Sequence, residues 1–126
     1  MREIKFRVWS VLATRMINWE NIFHLPAWEI FPGTPEQRPF NVMQYTGLKD
    51  KNGVEIYEGD IVSLKYLYDK RIIDKVQVVW REDKASFGLK SLKGLTNEVY
   101  ELYQVTAEHN LEIIGNIYEN PELLKG

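Results

Sequence analysis

Residues 43–64, MQYTGLKDKNGVEIYEGDIVSL, decide the fold. Asp50-Lys51-Asn52-Gly53 sets an aspartate where its side chain can cap backbone N–H groups, then Asn and Gly where positive φ is most easily adopted. Val42, Met43 and Tyr45 precede this group, and Val54, Ile56 and Tyr57 follow it. The spacing predicts a β-hairpin closed by a type I turn with a glycine bulge. A second reversal, Tyr57-Glu58-Gly59-Asp60, feeds residues 61–66, in which Val62, Leu64 and Tyr66 share one face at period two. A Gly-Asp corner that launches an apolar strand points to a small SH3-like barrel.

Toward the N-terminus, Ile4, Phe6 and Val8 alternate with Lys5, Arg7 and Trp9, which predicts a strand with one buried face. A turn at Ala13-Thr14-Arg15 leads into a return strand over Met16-Ile17-Asn18-Trp19, with Asn21-Ile22-Phe23-His24 as its extension. Residues 24–42 hold Pro26, Pro32, Pro35 and Pro39, four of the chain's five prolines, and are expected to form a long loop. Trp28, Ile30, Phe31 and Phe40 make that loop too apolar for a solvated linker. It packs on its own domain or on a neighbouring subunit, and these four side chains are the interface candidates.

Toward the C-terminus, Tyr68-Asp69-Lys70-Arg71 reads as a polar loop, and Val76, Val78 and Trp80 as a strong strand. Arg81-Glu82-Asp83-Lys84 turns the chain into a short strand at Ser86-Phe87-Gly88-Leu89. Residues 96–105 fit a helical stripe and a strand alternation alike, and are read as strand. Leu111, Ile113 and Ile114 form a last strand, His109 and Asn110 lie in a polar turn before it, and Asn120-Pro121-Glu122 starts a short helix with an Asn cap. The expected fold is mainly β: a small, partly open SH3-like barrel, an N-terminal β-layer and a short C-terminal helical turn. At 126 residues the chain is one domain, residues 1–126.

Composition agrees. Aromatic residues make up 13% of the chain, which favours sheets over a helical bundle, and there is no cysteine to build a disulfide framework or thiolate metal site. No apolar run approaches the ~18 residues of a membrane span, and the first residues are strand-like rather than a signal peptide. The expected compartment is the cytoplasm.

Charge is unevenly spread. Residues 1–60 carry seven Lys/Arg against eight Asp/Glu, residues 61–95 eight against four, and residues 96–126 one against six, within a net −2. Lys65, Lys70, Arg71 and Lys75 cluster beside Tyr66 and Tyr68. A basic β-surface with interleaved aromatics can track phosphates and stack bases, so Lys65, Tyr66, Lys70, Arg71 and Lys75 are the nucleic-acid candidates. The plainer alternative is that these cations decorate exposed strand faces and blunt edges.

Catalytic candidates are weaker. His24 and His109 stand alone, without metal-ligand spacing. Glu58, Asp60 and Asp50 sit at corners where turn and strand capping accounts for them. No phosphate loop, nucleophile elbow or metalloprotease signature is present. No catalytic residue, cofactor, metal or small-molecule substrate is inferred.

MREIKFRVW (1–9), MQYTGLKDKNGVEIYEGDIV (43–62) and IIGNIYENPELL (113–124) together resemble the YopX family of small phage and prophage proteins. Ser10 stands where the family usually has an aspartate, and residues 26–39 have no recognised counterpart. The resemblance implies a β-rich fold, self-association and a phage origin; it brings no established function and no catalytic residues. The expected role is that of a non-enzymatic phage or prophage accessory protein acting as a homo-oligomer in the host bacterial cytoplasm. The alternative is a nucleic-acid-binding regulator using residues 65–81.

Overall fold

The computed structural model describes residues 3–25, 40–65, 72–92, 99–102 and 107–124. Among these, strands β1 (Phe6–Ser10), β2 (Arg15–Ile17), β3 (Phe40–Lys49) and β4 (Glu55–Tyr57) make an N-terminal sheet in the order β2-β1-β3-β4. Strands β5 (Asp60–Lys65), β6 (Ile72–Arg81), β7 (Ser86–Ser91), β8 (Val99–Glu101) and β9 (Leu111–Asn116) make a second sheet in the order β8-β7-β6-β5-β9. Every pairing is antiparallel. Two single-turn helices, α1 (Trp19–Ile22) and α2 (Ala107–Asn110), and a 3₁₀ turn at Pro121–Leu124 complete the described elements. The protein is mainly β, with a curled, partly open five-stranded sheet, an N-terminal layer and a short C-terminal turn.

The hairpin forms as its residues require. The Asp50 N–H donates to Val54 O at 2.9 Å and the Gly53 N–H to Asp50 O at 3.0 Å, the bonds of a type I turn with a glycine bulge. Gly53 takes φ +80° and Asn52 does not join it in the left-handed region. Asp50 Oδ1 accepts the N–H groups of Asn52 and Val54, each at 2.9 Å. Its other oxygen accepts from Ile113 N at 3.0 Å, and Lys51 N–H donates to Leu111 O at 2.9 Å. The turn is thereby stitched to the outer edge of β9, and the curled sheet gains a partner where it would otherwise present an open edge.

Strand β3 reaches both cores because it bends. Between Tyr45↔Tyr57 and Lys49↔Glu55 the register slips, leaving Thr46, Gly47 and Leu48 opposite Ile56 alone. Gly47 takes φ +89° with open space where a Cβ would lie, so the backbone angle alone calls for glycine. The Thr46 hydroxyl replaces lost ladder bonds, donating to Ile56 O at 2.8 Å and accepting from Leu48 N at 3.2 Å. Leu48 then packs on the larger core.

That core gathers Ile56, Val62, Leu64, Val76, Val78, Leu89, Leu102, Ala107 and Leu111, all buried, with Leu48, Phe87 and Ile113 against it. A smaller cluster of Val8, Ile17, Ile22 and Phe40 lies under the N-terminal sheet, flanked by Phe6, Trp19, Leu25 and Val42. Each fully buried aliphatic or aromatic side chain contributes roughly 1.5–3 kcal/mol, so the larger cluster dominates stability.

Four expectations change. Trp19–Ile22 is a helical turn rather than strand: the Asn21 and Ile22 N–H groups both donate to Asn18 O at 3.0 Å, and Trp19 and Ile22 at i and i+3 pack against the N-terminal cluster. The Pro-rich loop placed over 24–42 ends earlier. Phe40, Asn41 and Val42, freed from proline after Pro39, pair with Ser10, Trp9 and Val8. His109 and Asn110 belong to α2 rather than to an irregular turn. Asn120 does not cap the last turn with its side chain; its Oδ1 accepts Asn116 N–H at 3.2 Å. Of residues 96–105, Val99–Glu101 is strand, as expected.

Candidate functional site at the junction of the two sheets

The sheets meet where β1, the β4–β5 corner and the C-terminal turn converge. Alternation along β1 sends Lys5 and Arg7 to the face opposite Phe6 and Val8. Gly59, at φ +92°, turns the chain sharply; its N–H donates to Val78 O at 2.9 Å and its carbonyl accepts Ile117 N–H at 3.0 Å. A Cβ there would lie 3.3 Å from Met43 Sδ, so glycine also lets β3 approach. Asp60 follows, only 1% exposed.

The Asp60 carboxylate makes two contacts. Oδ2 accepts Tyr57 N–H at 2.7 Å, capping the corner, and Oδ1 accepts from Arg7 Nη2 at 2.6 Å. The guanidinium lies over the Tyr57 ring, 4.7 Å from its centroid. Arg7 Nε is buried without a partner, so the pair is held by one strong hydrogen bond rather than a two-pronged fork. Burial pushes the Asp60 carboxyl above its ordinary value, and Arg7 and the Tyr57 N–H pull against that rise. Beside it, burial also raises Glu58, opposed by the Gln44 N–H.

Aromatic rings complete the joint. Trp9 stacks on Tyr118 at 5.7 Å between centroids and 12° between planes, tying β1 to the segment after β9. Tyr45 and Tyr57 meet at 5.5 Å. Lys5 lies 5.6 Å from the Tyr45 centroid and reaches Glu55 at 2.7 Å and Glu3 at 2.8 Å. These bonds to Glu3 and Glu55 hold the Lys5 ammonium well above the usual lysine range.

A cleft of about 340 Å³ opens beside this joint, lined by Lys5, Arg7, Asn18, Trp19, Glu20, Val54, Glu55 and Tyr57. A groove of similar size, about 350 Å³, runs along β2 and includes Arg15, Met16 and His24. Among the described residues, no three His, Cys, Asp or Glu side chains are grouped to hold a metal ion. Among those same residues, no helix is long and apolar enough to cross a membrane.

The residues singled out in the sequence fall as follows. Tyr66, Lys70, Arg71, Trp28, Ile30 and Phe31 lie outside the described residues. Lys65 is exposed at the end of β5, whereas Lys75, at φ +60°, sits in a bulge where Asp74 and Lys75 oppose Ser63. Phe40 is buried in the N-terminal cluster of its own chain. Asp50 and Asp60 are turn caps, as their positions suggest. The reading missed Lys5, Arg7, Trp19, Glu20 and Glu55. Only the β1 alternation carried a signal, in that it put the two cations on one face.

The geometry defines a class first: a small two-sheet β protein in which one bent strand reaches both cores and a buried ion pair locks the sheets together. A sequence profile of the YopX family, described as YopX protein, matches residues 5–125, and the chain belongs to that family. Two solved structures share the fold. The crystal structure of protein EF1440 from Enterococcus faecalis is 24% identical with a TM-score of 0.62, and the match covers 99% of this chain and 100% of that one. The X-ray structure of protein yopX from Bacillus subtilis is 20% identical with a TM-score of 0.60, at the same coverage. No curated protein matches the chain.

The three sequence blocks that carry the family resemblance converge on this joint. Arg7 and Trp9 come from the first, Met43 and Tyr57 to Asp60 from the second, Ile117 and Tyr118 from the third.

Proposed function

We propose that the protein works through contacts with other proteins, as a self-associating accessory factor of phage or prophage origin in the bacterial cytoplasm, and not through catalysis. The observation that carries this reading is a set of exposed apolar side chains at the ends of the N-terminal sheet's elements. Leu12 is 86% exposed and Val11 49% in the turn between β1 and β2, and Phe23 is 69% exposed just after α1. Large side chains left in water on a small core are stabilised by a second surface laid over them. The charged groups at the joint support the same reading, because they act as ties: Arg7 on Asp60, Lys5 on Glu55, Asp50 on the hairpin and β9.

On the sequence side, Trp28, Ile30 and Phe31, which lie outside the described residues, are further interface candidates. Light scattering across a concentration series tests this: the expected mass is a fixed multiple of 14.9 kDa. Leu12→Asp with Phe23→Asp lowers that mass. A monomer at every concentration refutes self-association.

The nucleic-acid reading retains one supporting observation: Lys65 on β5 and Lys90 on β7 are exposed on the five-stranded sheet. It predicts salt-sensitive binding that Lys70→Glu with Arg71→Glu removes. Binding unchanged by that pair excludes this surface.

A further inference from the structure

We infer that Asn52 is a site of spontaneous backbone modification, where the Gly53 nitrogen closes on the Asn52 side chain to give aspartate and isoaspartate, and that the Asp50 cap sets its pace. The reaction needs only water and is independent of any partner the protein binds.

The position meets the demands of the chemistry. The attacking atom is the main-chain nitrogen of the following residue, so a small, uncrowded residue there favours ring closure. Asn52-Gly53 is the only Asn-Gly pair in the chain. Lys51 to Val54 are all exposed, and a Cβ at Gly53 would meet nothing within 4 Å. The other asparagines are worse placed. Asn18, Asn21, Asn41, Asn97, Asn110 and Asn116 each precede a bulky side chain that crowds the nitrogen. Asn110 and Asn116 are also buried, and Asn120 precedes Pro121, which has no N–H to give up.

The atoms balance with water alone. Gly53 N gives its proton to solvent base and bonds to Asn52 Cγ; the Cγ–Nδ2 bond breaks and ammonia leaves. Water then opens the succinimide ring. Opening at the side-chain carbonyl leaves aspartate, and opening at the main-chain carbonyl leaves isoaspartate, with the main chain routed through Cβ and Cγ.

The turn restrains this reaction. The Gly53 N–H donates to Asp50 O at 3.0 Å, which holds the proton that must leave. The Asn52 and Val54 N–H groups, each 2.9 Å from Asp50 Oδ1, fix the backbone that must rotate for the ring to close. Once isoaspartate forms, the extra main-chain carbon moves Gly53 and Val54 out of register with Asp50. The Asp50 carboxylate then loses its hold on Ile113 N, 3.0 Å away, and the β9 edge reopens.

The test ages the full chain in mildly alkaline buffer. Isoaspartate is expected first at position 52, read by isoaspartyl methyltransferase labelling and peptide mapping. Asn52→Ser, at an exposed turn position, is expected to take no label there. Hydroxylamine, which cuts the ring, should split the chain into residues 1–52 and 53–126. Unfolding in urea should speed that cut about tenfold, the worth of one or two hydrogen bonds. In the aged chain the Ile113 amide should exchange faster than in fresh chain. Label appearing first at another asparagine, no label in the folded chain, or equal cutting rates folded and unfolded would overturn the assignment. Unchanged exchange at Ile113 would overturn its reach to β9.

Discussion

The two sheets are built by different means. Among the described residues, the cluster under the five-stranded sheet gathers nine buried side chains, Ile56 of β4 among them, and the β9 edge is closed by the Asp50 turn. The cluster under the N-terminal sheet gathers four, with Met43, Tyr45 and Tyr57 buried outside both clusters, and Leu12, Phe23 and Val54 stand in water around it. The larger unit is held by area, the smaller by a few directed contacts that tie it to the larger: Arg7 on Asp60, Trp9 on Tyr118, and Leu48 of β3 on the larger core. Stability in this molecule should therefore be uneven, with the N-terminal sheet opening before the rest.

The sharpest way to break that contrast is at the joint. Arg7→Met strands a carboxylate that is 1% exposed, and removing one partner of such a pair costs about 3–5 kcal/mol. Hydrogen exchange should show the amides of β1 and β2 losing protection well before those of β5 to β7. A uniform loss would show that the two sheets form one cooperative unit.

Asp50→Ala attacks the other side of the comparison. Three N–H groups, from Asn52, Val54 and Ile113, lose their acceptor, and the expected loss is about 2–3 kcal/mol in urea unfolding. Here exchange should rise first along β9, and unchanged protection at Ile113 would refute the stitch between turn and edge.

Gly47→Ala tests the bend that lets one strand reach both cores. The space is open but φ is +89°, so the cost is backbone alone, about 1–2 kcal/mol. A loss near zero would mean that the bulge relaxes without strain.

The smallest effect is expected at Glu58. Its folded-state pKa lies above the ordinary value, so ionisation costs the native state stability at neutral pH. Glu58→Gln should be more stable than the parent at pH 7. The advantage should shrink as pH falls through the raised value and vanish below about 4.5, where the carboxyl is protonated folded and unfolded alike. A difference that grows in acid would reverse the sign of the argument.

What could be read from the residues follows the same divide. The hairpin at Asp50–Gly53, the corner at Gly59-Asp60 and the period-two strands are local, and each was legible. The Arg7–Asp60 pair spans 53 residues and the Asp50–Ile113 bond 63, and no spacing rule in one sequence links such positions. Trp19 and Asn21-Ile22 read as strand because four residues of helix are too short for a periodic signal. The cleft was missed for a related reason: its walls come from β1, α1 and β4, which are adjacent only after folding.

The bent strand carries a consequence for how such sequences can diverge. Residues 40–44 pair with β1 and 45–49 with β4, so removing a single residue from the first half would turn its inward side chains outward and displace the second half too. Gains and losses of length should accumulate in the connections and leave this strand at constant length, a ruler against which relatives of unequal size can be laid.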